Sequence, residues 1–279
     1  MSQNNSPRLG YGCVKLTSFS SNKKAKQILT FLYDNGMRWF DTAPLYGNGY
    51  SERILGGFIK SLSKNDRAQL KVVTKFGLGP DKIKFLPIDI ALKLNKLNKL
   101  QKRTIKNNSF VIEKEVQSIV TRRIFDFEKI QKQLDNSLIN LGIEQLHGYI
   151  GHELIPDFLD DDTKKYLFNS KQDGKILNLG IGVNSTSILS IVNSKTLNDW
   201  EILQYEAGGT INVKNLMNQY PDKIHVHHSI LKKSEVTSNS SNLNLIESHL
   251  EQFPNSHILF SSNNKSHIVE NIASMKKWH

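Results

Sequence analysis

The feature that most constrains this chain is a repeated alternation of strand-like and helix-like segments. Residues 24–35 carry apolar side chains at Ile28, Leu29, Leu32 and Tyr33, a helical spacing that Gly36 would end. Residues 37–40 follow as a short apolar strand, with Asp41 opening the loop after it. The rhythm then repeats. A helix is predicted over 51–62 with Ser51 as its cap, and a strand over 71–74 with Lys75 at its end. Residues 127–141 form a helix striped by Ile130, Leu134, Leu138 and Leu141, and 146–151 a strand with His152 at its end. Helices over 162–173, 244–253 and 266–277 interleave with strands over 176–183, 200–205, 223–228 and 257–260. Strand, loop and helix in succession imply parallel strands with crossover helices. The number of units approaches eight, which favours a closed (β/α)8 TIM barrel. An open nucleotide-binding sheet would carry G-x-G-x-x-G in its first turn, and Gly10-Tyr11-Gly12 lacks the third glycine.

The 279 residues suit one barrel domain over 1–279. The single cysteine, Cys13, allows no intrachain disulfide and suits a reducing, cytoplasmic setting. No apolar run reaches the length of a membrane span, and the first ten residues lack a signal core. A net charge of +11 favours anionic partners. Solvated lysine-rich helix faces account for it more simply. No recognised module or aromatic platform supports nucleic-acid binding. His225, His227 and His228 have no carboxylate or cysteine near them in sequence to complete a ligand set, so no metal site is read.

Asp41, Lys75 and His152 fall at strand ends, and Tyr46 lies in the loop just beyond Asp41. Reactive groups gather at those ends in parallel barrels. Singly, each has a plainer reading: Asp41 as a turn former, Tyr46 as packing, Lys75 and His152 as surface residues. Together and in order they are harder to dismiss. The block from Phe40-Asp41-Thr42-Ala43-Pro44-Leu45-Tyr46-Gly47 to Ser51-Glu52-Arg53-Ile54-Leu55-Gly56 resembles the signature of the aldo-keto reductase family. Thr74-Lys75-Phe76-Gly77, residues 138–152, Gly182-Val183-Asn184-Ser185, Gln204 and the stretch from Ser261 to Asn271 extend the resemblance over most of the chain. Its form is most similar to the sugar-dehydrogenase-like branch.

The resemblance implies a barrel that reduces an aldehyde or ketone, or oxidises the alcohol, with NADP(H) as cofactor and NAD(H) as the alternative. The substrate it implies is a small carbonyl compound, such as a sugar or sugar derivative. Tyr46 would be the general acid, Lys75 the cation that makes its proton easier to lose, Asp41 the partner that orients Lys75, and His152 a hydrogen-bond donor to the substrate oxygen. Asn184 and Gln204 would bind the nicotinamide carboxamide, with Asp41, Gly12 and Cys13 nearby. Ser229, Ile230 and Leu231 would wrap the pyrophosphate. Ser262, Asn263, His267, Glu270 and Asn271 would meet the adenosine end, near a helix N-terminus that suits anions. Several positions depart from the family pattern. The family's Ser-Asn reads Asn184-Ser185, and His228 replaces an aromatic ring. Ser261 and His267 replace cations that would contact a 2′-phosphate, contacts worth roughly 1.5–3 kcal/mol each. These departures keep a second class alive, a nucleotide-binding barrel acting as a partner or regulatory subunit.

Residues 80–121 form a long basic insertion after the third strand. A helical stripe of Leu86, Ile90, Leu94 and Leu97 runs beside Lys93, Lys96, Lys99, Lys102 and Arg103. The stripe is expected to face the protein core, with a lid over the site as the second reading and a membrane surface as the third. With no long C-terminal loop after the last helix, the insertion would be what closes the pocket.

Overall fold

The computed structural model describes residues 8–79, 86–94, 125–184, 187–192, 195–207, 212–230 and 242–273. Eight parallel strands pair in chain order and close into a barrel, β1 (Leu9–Gly12) against both β2 (Trp39–Asp41) and β8 (Ser256–Phe260). Between them lie β3 (Lys71–Phe76), β4 (Leu146–His152), β5 (Ile176–Val183), β6 (Ile202–Glu206) and β7 (Ile224–His228). Helices α1 (Asn22–Asp34), α2 (Tyr50–Ile59), α3 (Lys64–Ala68), α4 (Phe127–Leu141), α5 (Asp161–Gln172), α6 (Ile188–Ile191), α7 (Val213–Gln219), α8 (Asn242–Gln252) and α9 (Lys265–Ala273) form the outer layer. None of the described helices is long and apolar enough to cross a membrane.

Alternation along each strand divides the core in two. Trp39, Val73, Ile150, Ile202, Val226 and Leu259 fill the barrel interior as one buried cluster. Their neighbours, such as Phe40, Val72, Tyr149, Leu203 and Ile258, point outward into the larger core under the helices. Side chains alternate across a strand, so this parity also fixes which residues reach the barrel mouth. Asp41, Lys75, His152, Gln204 and His228 share the inward parity.

Several local expectations shift. Asp41 is the last residue of β2, paired beside Val73 and Gly12, and does not open the loop. Ser51 does not cap α2. Gly49, in the left-handed region at φ 82°, takes the cap position, and Ser51 sits buried inside the helix. The Ser51 hydroxyl accepts from Thr42 Oγ1 at 3.0 Å and donates to the Cys13 carbonyl at 2.9 Å, stitching the loop after β2 to the turn after β1.

Residues 88–94 are helical, but the expected apolar stripe is turned the wrong way. Leu86, Ile90 and Leu94 are exposed, while Ala91 and Leu92 are buried. Polar anchors set this rotation. The Tyr50 hydroxyl donates to the Leu86 carbonyl at 3.2 Å, and Asp89 Oδ1 accepts from the Asn22 backbone N–H at 2.8 Å. Residues 80–85 and 95–124, with Leu97 and most of the anticipated lid, lie outside the described residues, as do Leu231 and residues 274–279.

Candidate active site

The loop from β2 to α2 is wound tightly enough to place Tyr46 over the barrel mouth. Gly47, Asn48 and Gly49 take φ of 60°, 53° and 82° in succession. Only glycine and asparagine adopt the left-handed region readily. Gly47 is also forced by crowding, since a Cβ there would lie 2.3 Å from Thr17 Cγ2. The Tyr46 carbonyl accepts from the Ser51 backbone N–H at 3.2 Å, which ties the loop to the first turn of α2.

Behind the site, Glu52 holds three elements together. Its carboxylate, 1% exposed, accepts from Thr74 Oγ1 at 2.7 Å and Ser137 Oγ at 2.8 Å, joining α2 to β3 and α4. Burial pushes its carboxyl pKa up against those bonds. Thr74 faces Glu52, so by strand alternation Lys75 faces the mouth.

Lys75 is the hub of the site. Its three ammonium protons reach three acceptors: Asp41 Oδ1 at 2.5 Å, the Thr42 carbonyl at 3.3 Å and Tyr46 Oη at 3.3 Å. Both side chains of the Lys75–Asp41 pair are 4% exposed. Burial alone would lower the Lys75 pKa, but Asp41 and Tyr46 outweigh it and the net shift is upward. The ammonium therefore stays charged. Because the Tyr46 oxygen accepts from Lys75, its own proton must point elsewhere, and Tyr46 lines the pocket.

The phenol's acidity departs from the expectation drawn from Lys75 alone. Burial raises the Tyr46 pKa, and Asp41 adds to it, so that the lowering by Lys75 is outweighed. Tyr46 is a protonated donor at neutral pH. The His152 ring packs edge-on against the Tyr46 ring, with centroids 6.1 Å apart. Burial, with Lys75 and His228 adding to it, pulls the His152 pKa down to about 3, so the imidazole is neutral. Its buried Nδ1 has no hydrogen-bond partner among the described residues.

These side chains line a pocket of about 470 Å³. Gly12, Gln204, His228, Ser229 and Ile230 line it too, whereas Cys13 is buried beneath it. Gln204 donates Nε2–H to the second Asp41 oxygen, Oδ2, at 2.9 Å. Asn184 is committed elsewhere. Its Nδ2 and backbone N–H donate to Glu153 Oε2 at 2.9 and 3.2 Å, and its Oδ1 accepts from the Ser187 backbone N–H at 2.9 Å. Glu153 lines the pocket and takes φ 58°, and it went unremarked in the sequence. The signal was available: it directly follows His152 at a strand's C-terminal end. Lys15 at the pocket edge was missed as well. At the far end, Ser262, Asn263 and His267 surround the start of α9. There Asn264 Oδ1 accepts from the Ser266 backbone N–H at 3.0 Å. Glu270 is half-buried on α9, and Asn271 is buried on the helix's inner face.

Comparison with known proteins places this chain among relatives. A 74-residue stretch is 38% identical to the D-threo-aldose 1-dehydrogenase of a Pseudomonas species, covering 25% of this chain and 22% of that enzyme. The chain thus spans about a fifth of the length of the curated relatives it matches. Among solved structures, an aldo-keto reductase from Klebsiella pneumoniae in complex with NADPH superposes with a TM-score of 0.65 at 14% identity, over 97% of this chain and 86% of that one. A glycerol dehydrogenase from Gluconobacter oxydans gives 0.64 at 16% identity, over 97% and 89%. At such identities the likeness speaks for the fold. The model of the aldo/keto reductase family matches residues 8–208, well over half the sequence and with Asp41, Tyr46, Lys75 and His152 inside it, and the chain belongs to that family.

Proposed function

We propose that the chain is an NAD(P)(H)-dependent oxidoreductase that reduces an aldehyde or ketone, with NADP(H) as its cofactor and Tyr46 as general acid. The observation that carries this reading is the Lys75 tripod. It occupies the Tyr46 oxygen from behind and leaves the phenolic proton for a group in the pocket. The pocket residues fit a nicotinamide. The Gln204 amide gives its nitrogen to Asp41 and so offers Oε1 as an acceptor for a carboxamide N–H. His228 contributes a ring to the pocket wall. Ser229, with φ 63° just past β7, and the residues after β8 lie where barrels of this kind hold phosphate.

When bound, the nicotinamide supplies the hydride that adds to the carbonyl carbon. The carbonyl's π pair then moves onto oxygen. Tyr46 gives that oxygen its proton and becomes a phenolate, which the Lys75 charge stabilises at hydrogen-bond distance. Neutral His152 donates an N–H to the same oxygen as negative charge develops, without competing to protonate it. In the oxidative direction Tyr46 phenolate takes the alcohol proton back. A sugar or sugar-derived carbonyl fits the 38% match to an aldose dehydrogenase.

The test is a screen of NADPH and NADH against aldehydes, ketones and aldoses. Quenching of cofactor fluorescence on binding, and its oxidation with a carbonyl substrate, are expected. Cofactor binding without turnover of any carbonyl or sugar would overturn the enzymatic reading in favour of a nucleotide-binding partner subunit.

A further inference from the structure

We propose that Gln204 is a positioning residue for proton transfer. By holding the outer oxygen of Asp41, it sets, through Lys75, how readily the Tyr46 phenol releases its proton. The four side chains form one continuous run. Gln204 Nε2–H donates to Asp41 Oδ2 at 2.9 Å, Asp41 Oδ1 accepts from Lys75 Nζ at 2.5 Å, and Lys75 Nζ donates to Tyr46 Oη at 3.3 Å. Asp41, Lys75 and Gln204 are all buried, so water offers little substitute for any link.

The direction of each bond follows from chemistry. An ionised carboxylate only accepts, so the Gln204 nitrogen must face Asp41 and its oxygen must face away. A donor on Oδ2 draws electron density from the carboxylate and loosens the hold of Oδ1 on the Lys75 proton. More of the ammonium charge is then left to stabilise a phenolate at Tyr46. Without that donor, Asp41 pulls Lys75 harder and weakens the cation's effect on Tyr46.

The neighbouring strand keeps Gln204 in place. Gly182 is its register partner on β5, and a Cβ there would come within 3.1 Å of Gln204 Oε1. The amide oxygen thus occupies space that a side chain at 182 would contest. On the functional reading above, this oxygen is the acceptor for the cofactor's carboxamide. A donor arriving at Oε1 polarises the Gln204 amide and strengthens its N–H as a donor to Asp41. Cofactor occupancy and Tyr46 acidity would then be linked through one side chain. The other titratable groups about this run are Cys13 just past β1, His152 on β4 and His228 on β7.

The test uses the full chain with no cofactor or substrate, so it stands or falls apart from turnover. A fluorinated tyrosine incorporated at position 46 brings the ionisation into an accessible pH range, and its 19F resonance reports that site alone. Gln204→Met is expected to raise the ionisation midpoint by about half a unit or more. An unchanged midpoint in a folded variant would overturn the proposal. A second readout leaves position 204 intact. Because linkage is reciprocal, the 15N-labelled side-chain amide of Gln204 should shift with the same midpoint as the position 46 phenol. An amide resonance that stays flat through that midpoint would overturn the proposal even if the methionine variant failed to fold.

Discussion

Two buried polar networks in this barrel each hold a tyrosine hydroxyl, and they put it to opposite ends. One is the run of Gln204, Asp41, Lys75 and Tyr46 at the barrel mouth. The other lies on the outer face of β6 and β7, under α8. There the Tyr220 carbonyl accepts from His225 Nε2 at 2.8 Å. That leaves His225 Nδ1 to accept from the Tyr205 hydroxyl at 3.0 Å. The Tyr205 oxygen then accepts from His227 Nε2 at 2.8 Å, and His227 Nδ1 from His249 Nε2 at 2.7 Å. Each ring is neutral in this scheme. Burial pulls His227 down to about 2 and His249 to about 4, and it lowers His225 as well. The outer network spends its protons internally, whereas the mouth network leaves the Tyr46 proton free for a group in the pocket. A fully spent network holds structure; one with spare donors and a fixed charge can do chemistry.

The sharpest way to break this contrast is to remove one hydroxyl from each network. Tyr46→Phe is expected to cut kcat by about 10²–10⁴ or more while leaving cofactor binding and melting temperature near wild type. Steady-state kinetics with cofactor fluorescence titration would check it. Lys75→Met leaves Asp41 buried without its cation and should cost about 3–5 kcal/mol of stability, read by urea unfolding. A cost near zero would mean that the pair is not buried in solution. Tyr205→Phe should cost about 1–3 kcal/mol, because His225 and His227 both lose a partner. Its kcat should stay near wild type. A large loss of turnover in that variant would collapse the distinction between the two networks.

The gentlest probe is pH. His147 and His249 are held down to about 4, His152 to about 3 and His227 to about 2, against an ordinary value of 6.5. Between those values the unfolded chain binds more protons than the fold. Stability is therefore full above about 6.5 and falls as pH drops toward the folded values. Melting temperatures measured from pH 8 to pH 4 should decline below about 6.5. A flat profile would mean that these rings are not buried as neutral groups.

Much of the barrel was legible because its helices and strands have distinct periods. The helix over 127–141, striped by its apolar spacing, and the strand over 176–183 match their expected bounds. Periodicity failed where polar anchors outweighed it. The Leu86, Ile90 and Leu94 stripe faces outward because Tyr50 and Asn22 bind the backbone and the Asp89 side chain of that segment. It failed again at Ser51, a good cap residue by type, which serves as a buried bridge between two loops. The contact between Asn184 and Glu153, thirty-one positions apart, could not be read from local spacing.

By itself the sequence determined the alternation that closes the barrel, the family signature, and the order of Asp41, Lys75 and His152 at successive strand ends with Tyr46 in the loop after the first of them. Those features are local, and strand parity carries them to a common rim. Tertiary structure decided the protonation and direction of what meets there. Burial overrides Lys75 in setting the acidity of Tyr46. An amide 163 positions from Asp41 fixes the second carboxylate oxygen. Desolvation and hydrogen-bond direction depend on what surrounds a group in space, and residues far apart in the chain supply those surroundings.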